Sequence, residues 1–260
     1  MPDELELARY RELREIVARL RAPEGCPWDQ EQTHESLKPY LLQEAYEVLA
    51  VLDEGKNERL PEEMGDLLFQ ILIHTQLAEE AGEFSMTDIL AGLAAKLVRR
   101  HPHVFGAGKL DTAAAVIEQW ERLKRDERDV EASALAGVPP VLPALAYSQE
   151  LLRRAAAAGF QWPDKRHVLD RLSDELQELA AARTDRERTE EFGDVLINLV
   201  NYARYSGIDA EEALRLAAGK FRHRFEGVER LARAEGRQLS DMSIDELLTL
   251  WGRAKNQGAS

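Results

Sequence analysis

A pattern of paired carboxylates occurs twice in this chain, and nothing else in the sequence constrains the fold as strongly. Glu44-Ala45-Tyr46-Glu47 is followed by Glu63-Met64-Gly65-Asp66, and Glu175-Leu176-Gln177-Glu178 by Glu191-Phe192-Gly193-Asp194. Two acids three residues apart share one face of an α-helix, about one turn apart. Two such helices packed antiparallel bring four carboxylates into one small volume. Left alone, the four repel one another and resist ionisation. A hard divalent cation such as Mg²⁺ resolves that conflict.

The rest of the chain supplies helices and little else. Apolar residues recur with helical spacing over 4–21, and Pro23, Gly25 and Pro27 end that stretch, which puts Cys26-Pro27-Trp28-Asp29 in a loop. Helical patterns are predicted over 40–54, after Pro39 and closed by Gly55, and over 60–81, with Pro61 in the first turn and Gly82 at the stop. They continue over 87–100, capped by Ser85 or Thr87, and over 112–130. Residues 131–143, which include Gly137-Val138-Pro139-Pro140 and Pro143, read as a linker. Helical patterns resume over 144–158, 165–182, 187–206, 209–235 and 243–256. No stretch alternates as a strand does, so the expected fold is all-α.

The repeat extends beyond the acids. Trp28 matches Trp162, Gly82 matches Gly207, Lys96 and Arg100 match Lys220 and Arg224, and Trp120 matches Trp251, all about 130 residues apart. Two tandem copies of one helical unit explain this: an N-terminal domain over 1–130, the linker over 131–143 and a C-terminal domain over 144–260.

Taken singly, acids on helices are most often solvated. Here each Glu-x-x-Asp opens onto an apolar run, Leu67–Leu72 or Val195–Val200, which is expected to be buried nearly all round. Gly65 and Gly193 precede the two aspartates and cost a helix about 1 kcal/mol relative to Ala, which points to close approach of another helix or a ligand. Lys96 with Arg100, and Lys220 with Arg224, each share a helical face and suit polyphosphate: Arg offers a bidentate fork and Lys a compact charge. Trp120 and Trp251 are core residues or an aromatic face for a base. Trp28 and Trp162 read as structural lids. His101 and His103 flank Pro102 and shape a turn. Glu31-x-x-His34 and Asp164-x-x-His167 have the spacing of di-iron ligands in helical bundles. There is no Gly-rich phosphate loop, Cys/His zinc pattern or nucleophile elbow.

Totals bound the remaining choices. The chain has 260 residues, 44% apolar and 32% charged, enough for two modest helical cores. A net charge of −14 argues against a sequence-independent nucleic-acid binder. No run is long enough to cross a membrane, and the acidic N-terminus lacks a signal peptide's features. A single cysteine, Cys26, fits a reducing cytosol.

These residues together resemble the MazG family of all-α nucleoside triphosphate pyrophosphohydrolases. The resemblance covers nearly the whole chain. Its motifs are Asp174-Glu175-Leu176-Gln177-Glu178 with Glu191-Phe192-Gly193-Asp194, Gly25-Cys26-Pro27-Trp28-Asp29, Gly65-Asp66-Leu67-Leu68-Phe69-Gln70 and Arg99-Arg100-His101-Pro102-His103-Val104-Phe105. The resemblance implies hydrolysis of NTPs or dNTPs at the α–β bond to NMP and pyrophosphate, for nucleotide-pool control or house-cleaning. It also implies dependence on Mg²⁺ or Mn²⁺, a cytoplasmic homodimer, and catalysis mainly by the C-terminal copy. Carried over, Glu175, Glu178, Glu191 and Asp194 are metal ligands and catalytic residues, with Glu175 or Glu178 orienting or deprotonating water. Lys220 and Arg224 contact phosphate, Trp251 lies near the nucleoside, and Asp174 adds a charge. The N-terminal counterparts are Glu44, Glu47, Glu63, Asp66, Lys96, Arg100 and Trp120.

The two copies depart from the family pattern differently. Before the first Glu stands Gln43 in one copy and Asp174 in the other, where the family has Glu. Gln43 removes a charge and a candidate base. Two rival readings follow: a helical regulator that binds nucleotide or protein without cleaving, and a di-iron carboxylate protein using His34 or His167.

Overall fold

The structure is a computed structural model that describes residues 3–106, 109–126 and 133–257. Among these residues there are helices and turns and no strands, as the spacing predicts. The chain divides into two compact units, Met1–Arg128 and Asp129–Ser260.

The first unit contains α1 (Glu4–Arg21), α2 (Pro27–Glu31), α3 (His34–Glu54), α4 (Leu60–Ala81), α5 (Met86–Arg100), α6 (Pro102–Phe105) and α7 (Ala113–Asp126). The expected continuation of α7 over 127–130 lies outside the described residues. Helices α3 and α4 form an antiparallel hairpin whose turn begins at Gly55, a left-handed residue with φ of 65°. Helix α1 packs on α4, and Val17, Leu72 and Ile73 from these two helices join Leu37 of α3 and Met86 of α5 in one core. Arg14 donates both hydrogen bonds of a bidentate pair to Glu79 at 2.8 and 2.7 Å, tying α1 to α4. Glu79 also accepts from the Met86 amide, and that bond, ahead of Arg14, holds its carboxyl below the usual range.

Two local expectations are corrected. Cys26–Asp29 is not a loop throughout: Pro27 opens the short helix α2, the position where a missing N–H costs nothing. Helix α3 begins at His34, not Tyr40, because Thr33 and Ser36 cap it reciprocally. Pro39 then lies inside the helix and forfeits one bond to the carbonyl four residues back. The short helices α2 and α6 lie below the length at which apolar periodicity is readable.

The second unit contains α8 (Ala144–Ala157), α9 (Lys165–Ala181), α10 (Asp185–Tyr205), α11 (Ala210–Ala234), a single 3₁₀ turn (Leu239–Asp241) and α12 (Ile244–Gln257). Helices α9 and α10 form the counterpart hairpin. Thr184 and Glu187 start α10 with a capping box, two residues earlier than expected. Gln149 on α8 accepts from the Ala210 amide at 2.8 Å and donates to the Ile208 carbonyl at 2.9 Å, which fixes the turn between α10 and α11. Val228, Ala232, Leu250 and Ala254 form the α11–α12 core. Close approach there requires Gly227, where a Cβ would stand 2.9 Å from that of Ala254. Val138 is buried, and Arg154 donates to the Ala136 carbonyl.

One broader expectation fails. The apolar runs after Asp66 and Asp194 are not buried all round. Leu68, Ile71, Leu196, Ile197 and Leu199 are exposed, as are Leu42, Met64, Leu176 and Phe192 nearby. Each hairpin buries one face within its own unit and leaves another apolar face open.

Candidate active site

Helix geometry sets the acids. On α3, Glu44 and Glu47 are one turn apart, and on α4 Glu63 and Asp66 are likewise in register. Because the helices run antiparallel, the pairs meet across the hairpin. One oxygen each from Glu44, Glu63 and Asp66 lies within 4.8 Å of the others. In the second unit the converging set is Glu175, Glu178 and Glu191, again within 4.8 Å. The fourth acid of each set is adjacent but outside this triangle. Glu47 accepts from the Gln43 amide at 2.9 Å. Asp194 is exposed and acts on Glu191 through its charge.

The electrostatics are those of crowded carboxylates. Desolvation first, and then the charges of Glu178, Asp194, Glu175 and Glu190, raise the Glu191 carboxyl above its usual range. Glu44 is raised by burial and then by Glu47, Asp66 and Glu63.

In each cluster one carboxylate is buried and carries its own arginine. Glu63 is 5% exposed and Arg59, one turn before it, donates at 2.7 Å. Glu175 is 6% exposed and Arg171 donates at 2.6 Å, with a second bond to Asp174 at 3.2 Å. The two arginines are not equivalents: the repeat places Tyr40 opposite Arg171 and Glu187 opposite Arg59. Neither was singled out from the sequence, although Arg-x-x-x-Glu at helical spacing was the available signal.

Among the described residues, Lys220 and Arg224 on α11 make no ion pair with Glu175, Glu178, Glu191 or Asp194. Arg224 instead lies over the Trp251 ring, 6.0 Å from its centroid. Trp251 packs against the α11–α12 core. Lys96 is exposed on α5, Arg100 ends that helix, and Trp120 on α7 meets His101 edge-on at 5.0 Å. Trp28 meets Tyr40 edge-on at 5.6 Å, and Trp162 accepts at its carbonyl from Tyr205.

Gly65 and Gly193 do not mark an approach within the chain. A Cβ at either position would meet open space. The di-iron reading fails on placement. His34 stacks on His74 with their Nδ1 atoms 2.7 Å apart, and His167 bonds Asp164 at the start of α9. No histidine joins either acid cluster among the described residues. The donor sets are all carboxylate oxygen, which suits a hard divalent cation and not a soft one.

Fold and site define a class: an all-α protein of two tandem helix hairpins, each presenting a carboxylate cluster. Residues 32–105 and 164–228 both match the MazG nucleotide pyrophosphohydrolase domain. A nucleoside triphosphate pyrophosphohydrolase/pyrophosphatase MazG of Thermotoga maritima is 42% identical over 247 residues, 95% of each chain. A nucleoside triphosphate pyrophosphohydrolase of Escherichia coli is 40% identical over 250 residues, 93% of this chain and 95% of its own. One from Mycolicibacterium smegmatis is 42% identical over 137 residues, 51% of this chain and 42% of its own. The chain belongs to the MazG family.

Proposed function

We propose that this protein hydrolyses nucleoside triphosphates, NTPs or dNTPs, at the α–β bond, releasing NMP and pyrophosphate, with Mg²⁺ or Mn²⁺ as cofactor. The observation that carries the reading is the convergence of Glu175, Glu178 and Glu191 from two antiparallel helices, in a chain whose relatives carry that activity in their names. Glu175, Glu178, Glu191 and Asp194 would hold the cation. Bound there, it supplies Lewis acidity toward the triphosphate and its attacking water. Glu178 is the better general base, because it is exposed and Glu175 is already engaged by Arg171. Lys220 and Arg224 neutralise phosphate oxygens as pyrophosphate leaves.

The C-terminal unit is assigned the hydrolysis. The N-terminal cluster carries Gln43 in place of an acid. That favours a binding role for the first unit.

The working form is a homodimer. The open apolar faces of α3, α4, α9 and α10 support this reading, because exposed contiguous apolar surface is what an obligate interface covers. No helix of the described residues is long and apolar enough to cross a membrane. A free Cys26 and the acidic surface support a cytoplasmic enzyme working on nucleotide pools, for pool control or house-cleaning.

The test is pyrophosphate release from a panel of NTPs and dNTPs, with and without Mg²⁺, on wild type, Glu178→Gln and Glu47→Gln. Loss in Glu178→Gln alone supports the C-terminal assignment. Release that survives in Glu178→Gln and stops in Glu47→Gln reverses it.

A further inference from the structure

Each hairpin is fastened at its open end by a contact from the first helix to the second, and the two units use different chemistry there. In the first unit, Nδ1 of His34 on α3 and Nδ1 of His74 on α4 are 2.7 Å apart, a hydrogen bond in which one ring donates and the other accepts. In the second, the Lys165 ammonium of α9 lies over the Tyr202 ring of α10, 5.6 Å from its centroid. The offsets that match the acids match these positions too. The 131 residues from Glu44 to Glu175 also carry His34 to Lys165, and the 128 from Glu63 to Glu191 carry His74 to Tyr202. His34 and Lys165 are each the first residue of their helix.

Histidine alone among side chains ordinarily changes charge between pH 5 and 8, so only the first contact can answer to mild acid. The pair tolerates one added proton: the half-buried His34 takes it at Nε2 while its Nδ1 still donates to His74. A second proton gives His74 two N–H groups and no acceptor for either. Its Nδ1–H then faces the Nδ1–H of His34, and its Nε2 is buried with no partner among the described residues. The neighbouring helices offer no relief: Arg14 and Arg21 of α1 are engaged by Glu79 and Glu80, Glu35 of α3 by Lys38, and Asp88 of α5 by its Ser85 cap. Burial first, and then the charge of His34, hold His74 below its ordinary 6.5, and among the described residues no carboxylate of α1, α2, α3 or α5 acts on it. The stabilisation is complete above pH 6.5 and is lost as pH falls through the lowered value.

We propose that the His34–His74 bond is an acid-released clasp between α3 and α4, confined to the first unit, and that Lys165 with Tyr202 is its pH-insensitive counterpart in the second. Mild acid then loosens the start of α3, with the Thr33–Ser36 cap that begins it, while α9 stays fastened to α10. His34 precedes Glu44 by ten residues on α3, roughly 15 Å at the α-helical rise, so the clasp acts on the hairpin and is separate from the titration of the acids.

The experiment is amide hydrogen exchange by mass spectrometry on the full chain at pH 7.5 and pH 5, corrected for intrinsic exchange, following peptides from the first turns of α3 and α9. Three proteins are compared: wild type, the double variant His34→Lys with His74→Tyr, which moves the second unit's contact into the first, and Lys165→His with Tyr202→His, which does the reverse. In wild type, protection at α3 should fall on acidification by several-fold, and by at most about tenfold per pH unit because one proton drives the opening, while α9 stays unchanged. The first double variant should lose the response at α3, and the second should acquire it at α9. If circular dichroism shows that the first double variant does not fold at pH 7.5, His74→Gln replaces it and should abolish the response in the same way. Wild-type α3 that keeps its protection at pH 5, an equal fall at α9, or a response at α3 that survives removal of His74 overturns the proposal.

Discussion

Replacing Arg171 with Gln isolates the electrostatic conflict at the centre of the second unit. Glu175 is 6% exposed and its one strong counter-charge is Arg171 at 2.6 Å. Stranding a fully buried carboxylate costs about 3–5 kcal/mol, and an exposed helical pair is worth under about 1 kcal/mol. The Arg171 side chain is 40% exposed, so solvent screens the pair and the expected loss in cation-free protein is about 1–2 kcal/mol. For a domain of this size that lowers the melting temperature by about 4–8 °C. Saturating Mg²⁺ at the cluster replaces the missing charge, and a ligand at a hundred times its dissociation constant adds about 2.7 kcal/mol. Arg171→Gln therefore gains more from Mg²⁺ than wild type does, and the two melting curves approach each other. The assay is thermal unfolding by circular dichroism, in chelator and in a Mg²⁺ series. Equal melting temperatures in chelator refute the claim that Arg171 compensates Glu175. A gap that Mg²⁺ leaves unchanged refutes placement of the cation at this cluster.

Asp194→Asn and Glu178→Gln should each lower pyrophosphate release by about 10²–10⁴-fold, with unfolding curves within a few degrees of wild type; near-normal turnover in both removes the second cluster from the reaction. Burial, and then the proximity of His34, hold His74 below its ordinary value of 6.5. A neutral imidazole favoured in the fold means that stability is present above pH 6.5 and declines as pH falls from there toward the lowered value. His74→Leu should flatten that decline in urea melts from pH 7.5 to 5. Glu150, held at about 2 by Arg153 and Arg154, behaves as a depressed carboxylate: its contribution is complete above its ordinary 4.5 and is lost only as pH falls toward 2. The first unit should therefore loosen at a higher pH than the second loses Glu150's contribution, which tryptophan fluorescence of single-unit Trp variants can follow. Gly227→Ala forces a Cβ to within 2.9 Å of Ala254 and should destabilise the second unit by about 1–2 kcal/mol, overpacking outweighing the helical gain; an unchanged or higher melting temperature shows that α12 can yield.

Period and spacing are local properties, and they determined the helices, the two-copy organisation and the pairing of Glu44 with Glu47 and of Glu175 with Glu178. A three-residue step always shares a helical face, whatever surrounds the helix. Caps are local too, yet Thr33 with Ser36 outweighed Pro39 and moved the start of α3, because reciprocal bonds to two orphan amides offset one missing bond. What crosses from one helix to another was not legible. Which three of four acids converge depends on the register of the hairpin. The burial of Glu63 and Glu175, each answered by an arginine at a different corner of its cluster, depends on which face packs inward. The exposure of Phe221 beside the half-buried Trp251 is decided in the same way: both are aromatic residues on helices in the sequence, and only the packing of α11 on α12 half-buries one and leaves the other open.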